Sequence, residues 1–193
     1  MAECKELGIE ILPPDINHSL NWIKSYTAAS LSEDRTLGSN SIRQPLDNLR
    51  NAGLIYGSII YNKAPVMMRK LVEIMGEEAY QEGIREYLKA HAYGNATWDD
   101  LIAILDNQTE EDLATFSDVW VNQKGMPHIT FTNRCGQLEI RQKDPLHRGL
   151  LWPQRFQITF VGTENTSVEV DLSDESFALT VPIGTEAILP NTD

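Results

Sequence analysis

The chain has 193 residues, 41% of them apolar and 23% charged, a balance that suits a globular protein with one good core or two small ones. Its net charge of −12 leaves no basic patch to neutralise phosphates, so nucleic acid is excluded as an expected partner. No apolar run of about 18 residues and no charged-then-apolar start occur, so the reading expects a soluble chain with no membrane span and no signal peptide, its compartment left open.

Residues 1–18 contain the breaker Pro13-Pro14-Asp15 and fit no element. From Ser19 a helical pattern of Leu20, Ile23, Ala28 and Leu31 begins, flanked by Trp22 and Tyr26, and residues 32–43 read as a polar loop. A second apolar pattern carries Leu46, Leu49, Ala52, Tyr56, Ile59 and Ile60. The next helix is expected near Ala64, with Pro65 in its first turn where a missing N–H is no loss, a face of Val66, Met67, Leu71, Ile74 and Met75, and Gly76 as its stop. Glu77 and Glu78 open another helix, where negative charge suits the N-terminal dipole. Tyr80, Ile84, Tyr87, Leu88 and His91 follow at helical spacing. Thr97-x-x-Asp100 has the form of a capping box for a short helix through Leu105. Thr109 is read as the cap of a last helix that buries Leu113, Phe116 and Trp120.

The period changes from helical to two after Gly125-Met126-Pro127. Ile129 and Phe131, Leu138 and Ile140, then Phe156, Ile158 and Phe160 alternate with polar residues. Val168, Val170 and Leu172, then Phe177, Leu179 and Val181, do the same. Helices followed by strands without alternation predict a segregated α+β fold, with an all-helical part over 19–124 and an antiparallel β-sandwich-like part over 125–193.

The four histidines, His18, His91, His128 and His147, include no pair at i, i+4 and no H-E-x-x-H. Cys4 and Cys135 are far apart and form no metal-type pair. Glu82 and Glu86 share a helix face and read as a solvated surface. No metal ligand is therefore predicted. Two phenols remain, Tyr56 and Tyr61, just ahead of the Pro65 helix. A tyrosine hydroxyl is a neutral donor at pH 7 and can stabilise a developing oxyanion, but spacing alone equally fits packing.

Three ordered motifs bear on that choice. They are Tyr61-Asn62-Lys63, then Tyr93-Gly94-Asn95-Ala96-Thr97 with Asp100-Leu101, then Trp120-Val121-Asn122-Gln123-Lys124-Gly125-Met126-Pro127. In this order they resemble the aminopeptidase N-type zinc metallopeptidases (gluzincin aminopeptidases, leukotriene-hydrolase-like), from about Ser19 to the C-terminus. The resemblance implies that the helices are the C-terminal half of a catalytic domain and the strands the start of the β-sandwich behind it. It implies that Tyr61 hydrogen-bonds the tetrahedral intermediate, that Tyr56 lies near the substrate, and that Lys63 is a structural or surface residue. The family glycine after the lysine is Ala64 here. The family's H-E-x-x-H, its third zinc ligand and its amine-binding loop all precede this tyrosine and are absent. Zinc and a peptide substrate are therefore expected only in a full-length parent, and this chain alone is expected to be inactive. Residues 1–18 do not look like the preceding part of such an enzyme; ECKELGIEILPPDIN is loosely similar to a short stretch of bacterial replicative polymerase alpha subunits. The alternative is a non-catalytic binding or scaffold module that self-associates through an exposed helical face.

Overall fold

The computed structural model describes residues 22–36, 38–51, 53 and 57–192. The segment 1–18, Leu20, Ala52 and Tyr56 lie outside the described residues.

A π turn at Ile23–Thr27 leads into α1 (Ala28–Asp34), which carries one helical turn into the polar stretch read as loop. After a short 3-10 turn at Leu49–Asn51, a second π turn at Ile59–Lys63 runs into α2 (Ala64–Met75). α3 (Glu77–Ala90), α4 (Trp98–Asp106) and α5 (Leu113–Ser117) follow, and a third π turn at Asp118–Asn122 ends the helical part. α2 buries Val66, Met67, Leu71 and Met75, while Glu73 on its outer face pairs with Arg69 and Lys70 at 3.1 and 2.7 Å. At α4 the capping box forms as expected: the Thr97 hydroxyl accepts the Asp100 N–H at 3.2 Å and Asp100 accepts the Thr97 N–H at 2.8 Å. The cap of α5 is Asp112, not Thr109. Asp112 accepts the Thr115 N–H at 2.8 Å, whereas the Thr109 hydroxyl is spent on the Glu111 N–H in a local turn.

The helical core joins those α2 residues to Leu101, Ile102 and Leu105 of α4, Leu113 and Phe116 of α5, and Val119 and Trp120. Trp152, which lies beyond the change of period, packs into this core and is fully buried. The strands are β1 (His128–Arg134), β2 (Gln137–Lys143), β3 (Arg155–Val161), β4 (Thr166–Asp171), β5 (Ser176–Thr180) and β6 (Ala187–Pro190). They form two antiparallel three-stranded sheets, ordered β1-β2-β5 and β4-β3-β6. Register pairs Leu138 with Leu179 and Ile140 with Phe177 in the first sheet, and Phe156 with Val170 and Ile158 with Val168 in the second. Because side chains alternate, this register puts the apolar set of each sheet on one face. One apolar cluster draws on both sheets.

Arg155 ties the strands to the helices. It donates to Glu111 of the turn before α5 at 2.8 Å and to Asp171 of β4 at 3.0 Å. The indole N–H of Trp120 reaches the Pro153 carbonyl at 2.8 Å.

The β3–β4 and β5–β6 connections meet at Gly162, where a Cβ would lie 2.6 Å from the carbonyl oxygen of Gly184. That obstacle is backbone and cannot swing aside. Gly162→Ala is therefore expected to cost about 1–3 kcal/mol and lower Tm by several degrees, whereas Gly57→Ala, with open space around it, leaves Tm unchanged or higher. Equal melting of the two variants in calorimetry would contradict this packing.

Candidate active-site tyrosine and its buried anchor

The geometry around Tyr61 begins with Pro65. Proline offers no N–H, and inside a helix its ring collides with the carbonyl four residues back. Pro65 lies in the first turn of α2, as expected, but the chain is already coiled from Ser58 onward. The conflict is resolved by a π turn, in which the Ala64 N–H bonds the Ile59 carbonyl five residues back. On the N-terminal side the Tyr61 N–H bonds the Gly57 carbonyl at 3.0 Å.

Residues two apart on a helical turn point to different sides. Ile59 and Lys63 point inward and are buried, so Tyr61 between them points outward and is 59% exposed. Lys63 is the unexpected member. Its side chain has no solvent exposure, a correction to the surface half of the expectation. Its ammonium lies 2.6 Å from Asp34 Oδ2, at the end of α1, and donates to the Gly125 carbonyl at 3.1 Å. Ser39 closes the ring: its hydroxyl donates to Asp34 Oδ1 at 2.7 Å and accepts the Gly125 N–H at 3.1 Å. Burial holds the Lys63 ammonium below the ordinary lysine range, and the attraction and hydrogen bond of Asp34 offset only part of that. Gly125 is buried with φ +88°, a conformation in which a side chain would be strained.

A second ion pair holds the same stretch from the strand side. Arg148 donates to the Lys124 carbonyl at 3.0 Å and to both oxygens of Asp144 at 3.0–3.1 Å. Its guanidinium lies 5.5 Å from the Trp152 ring centre. Burial alone would raise the Asp144 pKa. The Arg148 guanidinium and the N–H groups of Leu146 and Arg148 more than reverse this and hold it at about 2.

Of the predicted site residues, the structure therefore places Tyr61 on an exposed turn, while Tyr56 lies outside the described residues. Among the described residues no group of three or more His, Cys, Asp or Glu side chains is placed to hold a metal ion. The described residues do not fit a zinc centre. Sequence reasoning missed Asp34 and Ser39, which fall in or beside the stretch read as loop, and Asp144 with Arg148. The available signal was a lysine set between apolar Ile59-Ile60 and Val66-Met67 with no local carboxylate. A cleft of about 220 Å³ also lies between helices and strands, lined by Glu111, Arg155 and Asp171, but its cation is paired on both sides.

A carboxyl held at about 2 contributes stability that is fully present above its ordinary pKa near 3.8 and is lost as pH falls toward 2. Thermal melts between pH 6 and pH 2 are expected to show the parent losing, on falling from about 4 to 2, an advantage over Asp144→Asn on the order of 2 kcal/mol. An advantage that stays constant across this window would show that Asp144 is not held as described.

Comparison with known proteins gives this geometry its context. Residues 4–120 match the Peptidase family M1 domain, a span that includes most of the N-terminal segment as well as Tyr61 and Lys63. Aminopeptidase N of Lactobacillus delbrueckii subsp. lactis is 27% identical over 175 residues, 87% of this chain and 21% of that protein. Aminopeptidase M1-B of Oryza sativa subsp. japonica is 30% identical over 149 residues, 76% of this chain and 17% of that protein. Tricorn protease-interacting factor F2 of Thermoplasma volcanium is 24% identical over 161 residues, 81% of this chain and 20% of that protein. The chain thus spans about a fifth of the length of these relatives. With more than half of its length inside the domain match, the chain belongs to peptidase family M1.

Proposed function

We propose that this chain corresponds to the C-terminal part of an aminopeptidase catalytic domain together with the start of a β-sandwich, and that Tyr61 is its catalytic group. In this reading the phenol donates its O–H to the oxyanion that forms on the carbonyl of an N-terminal peptide bond. A tyrosine hydroxyl carries one O–H that can be donated to an oxyanion. A donor of this kind, aimed at developing charge, is worth about 10²–10³ in rate. The observation that carries the reading is the setting of Tyr61: an outward-facing phenol on a π turn whose opposite side is locked into the interior. Tyr56, five residues earlier, is assigned to the substrate side of the same site.

The remaining groups that hydrolysis requires, the zinc site included, are assigned to other parts of a full-length protein. The chain by itself is then inactive. A second reading, a non-catalytic binding module, draws on the exposure of Leu88 and Tyr93.

The test is Tyr61→Phe in a full-length protein carrying this segment. Cleavage of an aminoacyl anilide is expected to fall about 10²–10³-fold with zinc content unchanged, and the isolated chain is expected to bind no stoichiometric zinc and to cleave nothing. An undiminished rate in the phenylalanine variant would remove Tyr61 from the mechanism and leave the binding-module reading standing. Chelator-sensitive cleavage by the isolated chain would overturn the assignment of the metal site to other parts of the protein.

A further inference from the structure

We propose that Lys63 is a positioning residue: its buried ammonium, held between Asp34 and the Gly125 carbonyl, sets the orientation of the π turn and so the outward aim of Tyr61. The proposal rests on the reading of Tyr61 as the donor, but the device itself is a property of this chain's own geometry.

Three observations converge on it. The first is the phase of the helix. α2 is rotationally fixed by Val66, Met67, Leu71 and Met75 in the helical core. A π turn inserts an extra residue, so the apolar face of α2 does not by itself dictate the direction in which Tyr61 points. Pro65 weakens the link further, since it contributes no N–H across the join. The turn needs its own anchor, and its inward face supplies only Ile59 and Lys63.

The second observation is what Lys63 touches. Ile59 gives apolar contact, which is non-directional. The Lys63 ammonium makes directed contacts instead, at 2.6 Å to Asp34 and 3.1 Å to Gly125, and both partners are themselves fixed by Ser39. A point charge held from two directions resists both rotation and sliding of the turn that carries it. Asp34 lies 29 positions before Lys63 and Gly125 lies 62 after it, so the turn is registered against two remote parts of the chain.

The third is cost. Burial depresses the affinity of Lys63 for its proton despite the carboxylate beside it. A charge pair of this kind is a poor stabiliser compared with apolar residues of the same volume, and its best-attested use is to specify one arrangement over others. The residue directly served is Tyr61, two positions away on the opposite side of the same turn.

The test uses the chain as it is, with the paired variant Asp34→Asn/Lys63→Met. Asparagine keeps an acceptor for Ser39, and methionine keeps most of the length of lysine without its charge. Tyrosines labelled with ¹³C at the ring carbon bearing oxygen are followed by NMR, alongside amide hydrogen exchange. The expected result is selective. The Tyr61 ring signal moves or broadens, and the amides of Tyr61 and Ala64 exchange about tenfold faster, while Tyr80, Tyr87 and the amides of α3 are unchanged. An unchanged Tyr61 overturns the proposal, and so does an equal change at Tyr61, Tyr80 and Tyr87, because that is the signature of a merely structural pair. If the paired variant fails to fold, Ser39→Ala, which removes the hydroxyl bonded to both Asp34 and Gly125, is read by the same two criteria. None of these readings depends on turnover, so the positioning role fails or stands separately from the rate test of Tyr61→Phe.

Discussion

Two consecutive carbonyls, those of Lys124 and Gly125, are held from opposite sides by two ion pairs, and the rest of the structure is arranged around that hold. From the helical side Lys63, paired with Asp34, takes the Gly125 carbonyl; from the strand side Arg148, paired with Asp144, takes that of Lys124. The chain leaves its last helical turn here and enters β1. The buried Gly125 carbonyl lies in no ladder and must find a donor elsewhere; the chain supplies a charged one there, and another at the exposed Lys124 carbonyl. Gly125 completes the join, because its φ of +88° turns the backbone so that its N–H meets Ser39 while its carbonyl meets Lys63.

The same hold bears on the placement of the exposed Tyr61, which sits on the outer side of the turn that Lys63 anchors. Pro65 forces a break in the helical hydrogen-bond pattern, and the π turn absorbs it. The turn is then free to be set by whatever its inner face grips. That face grips a carboxylate and a carbonyl at fixed distances, and the outer face carries Tyr61. Desolvation makes such a grip expensive, which accords with a depressed Lys63 pKa and with a role in specification more than in bulk stability.

How much of this was legible in the sequence differs from element to element. α2 and α3, and the strand alternation, were readable because each has one apolar face and burial follows period. The capping box at Thr97 and Asp100 was readable because its partners are three residues apart. The cap of α5 was not. Thr109 and Asp112 both suit the role, and only the folded chain shows that Thr109 is taken by Glu111. Pro65 marked the first turn of α2, but the π turn that runs into it was not readable, because a proline in a first turn looks the same in one dimension whether or not such a turn precedes it. Lys63 could be called structural or surface but not buried, since its partners lie 29 and 62 positions away. The candidate site was legible only through the ordered motifs, whose family membership the domain match establishes; Tyr61 by itself had no distinguishing pattern.

Whether Asp34 and Lys63 act as one unit is measured most directly by a double-mutant cycle with Asp34→Asn and Lys63→Met in denaturant unfolding. Removing one charge strands the other in the interior, so the Lys63→Met single variant is expected to lose about 3–5 kcal/mol. The paired variant is expected to lose less than the sum of the two singles, with a coupling energy on the order of 2 kcal/mol. Losses that simply add, with no coupling beyond about 0.5 kcal/mol, would contradict the claim that this buried pair organises the junction.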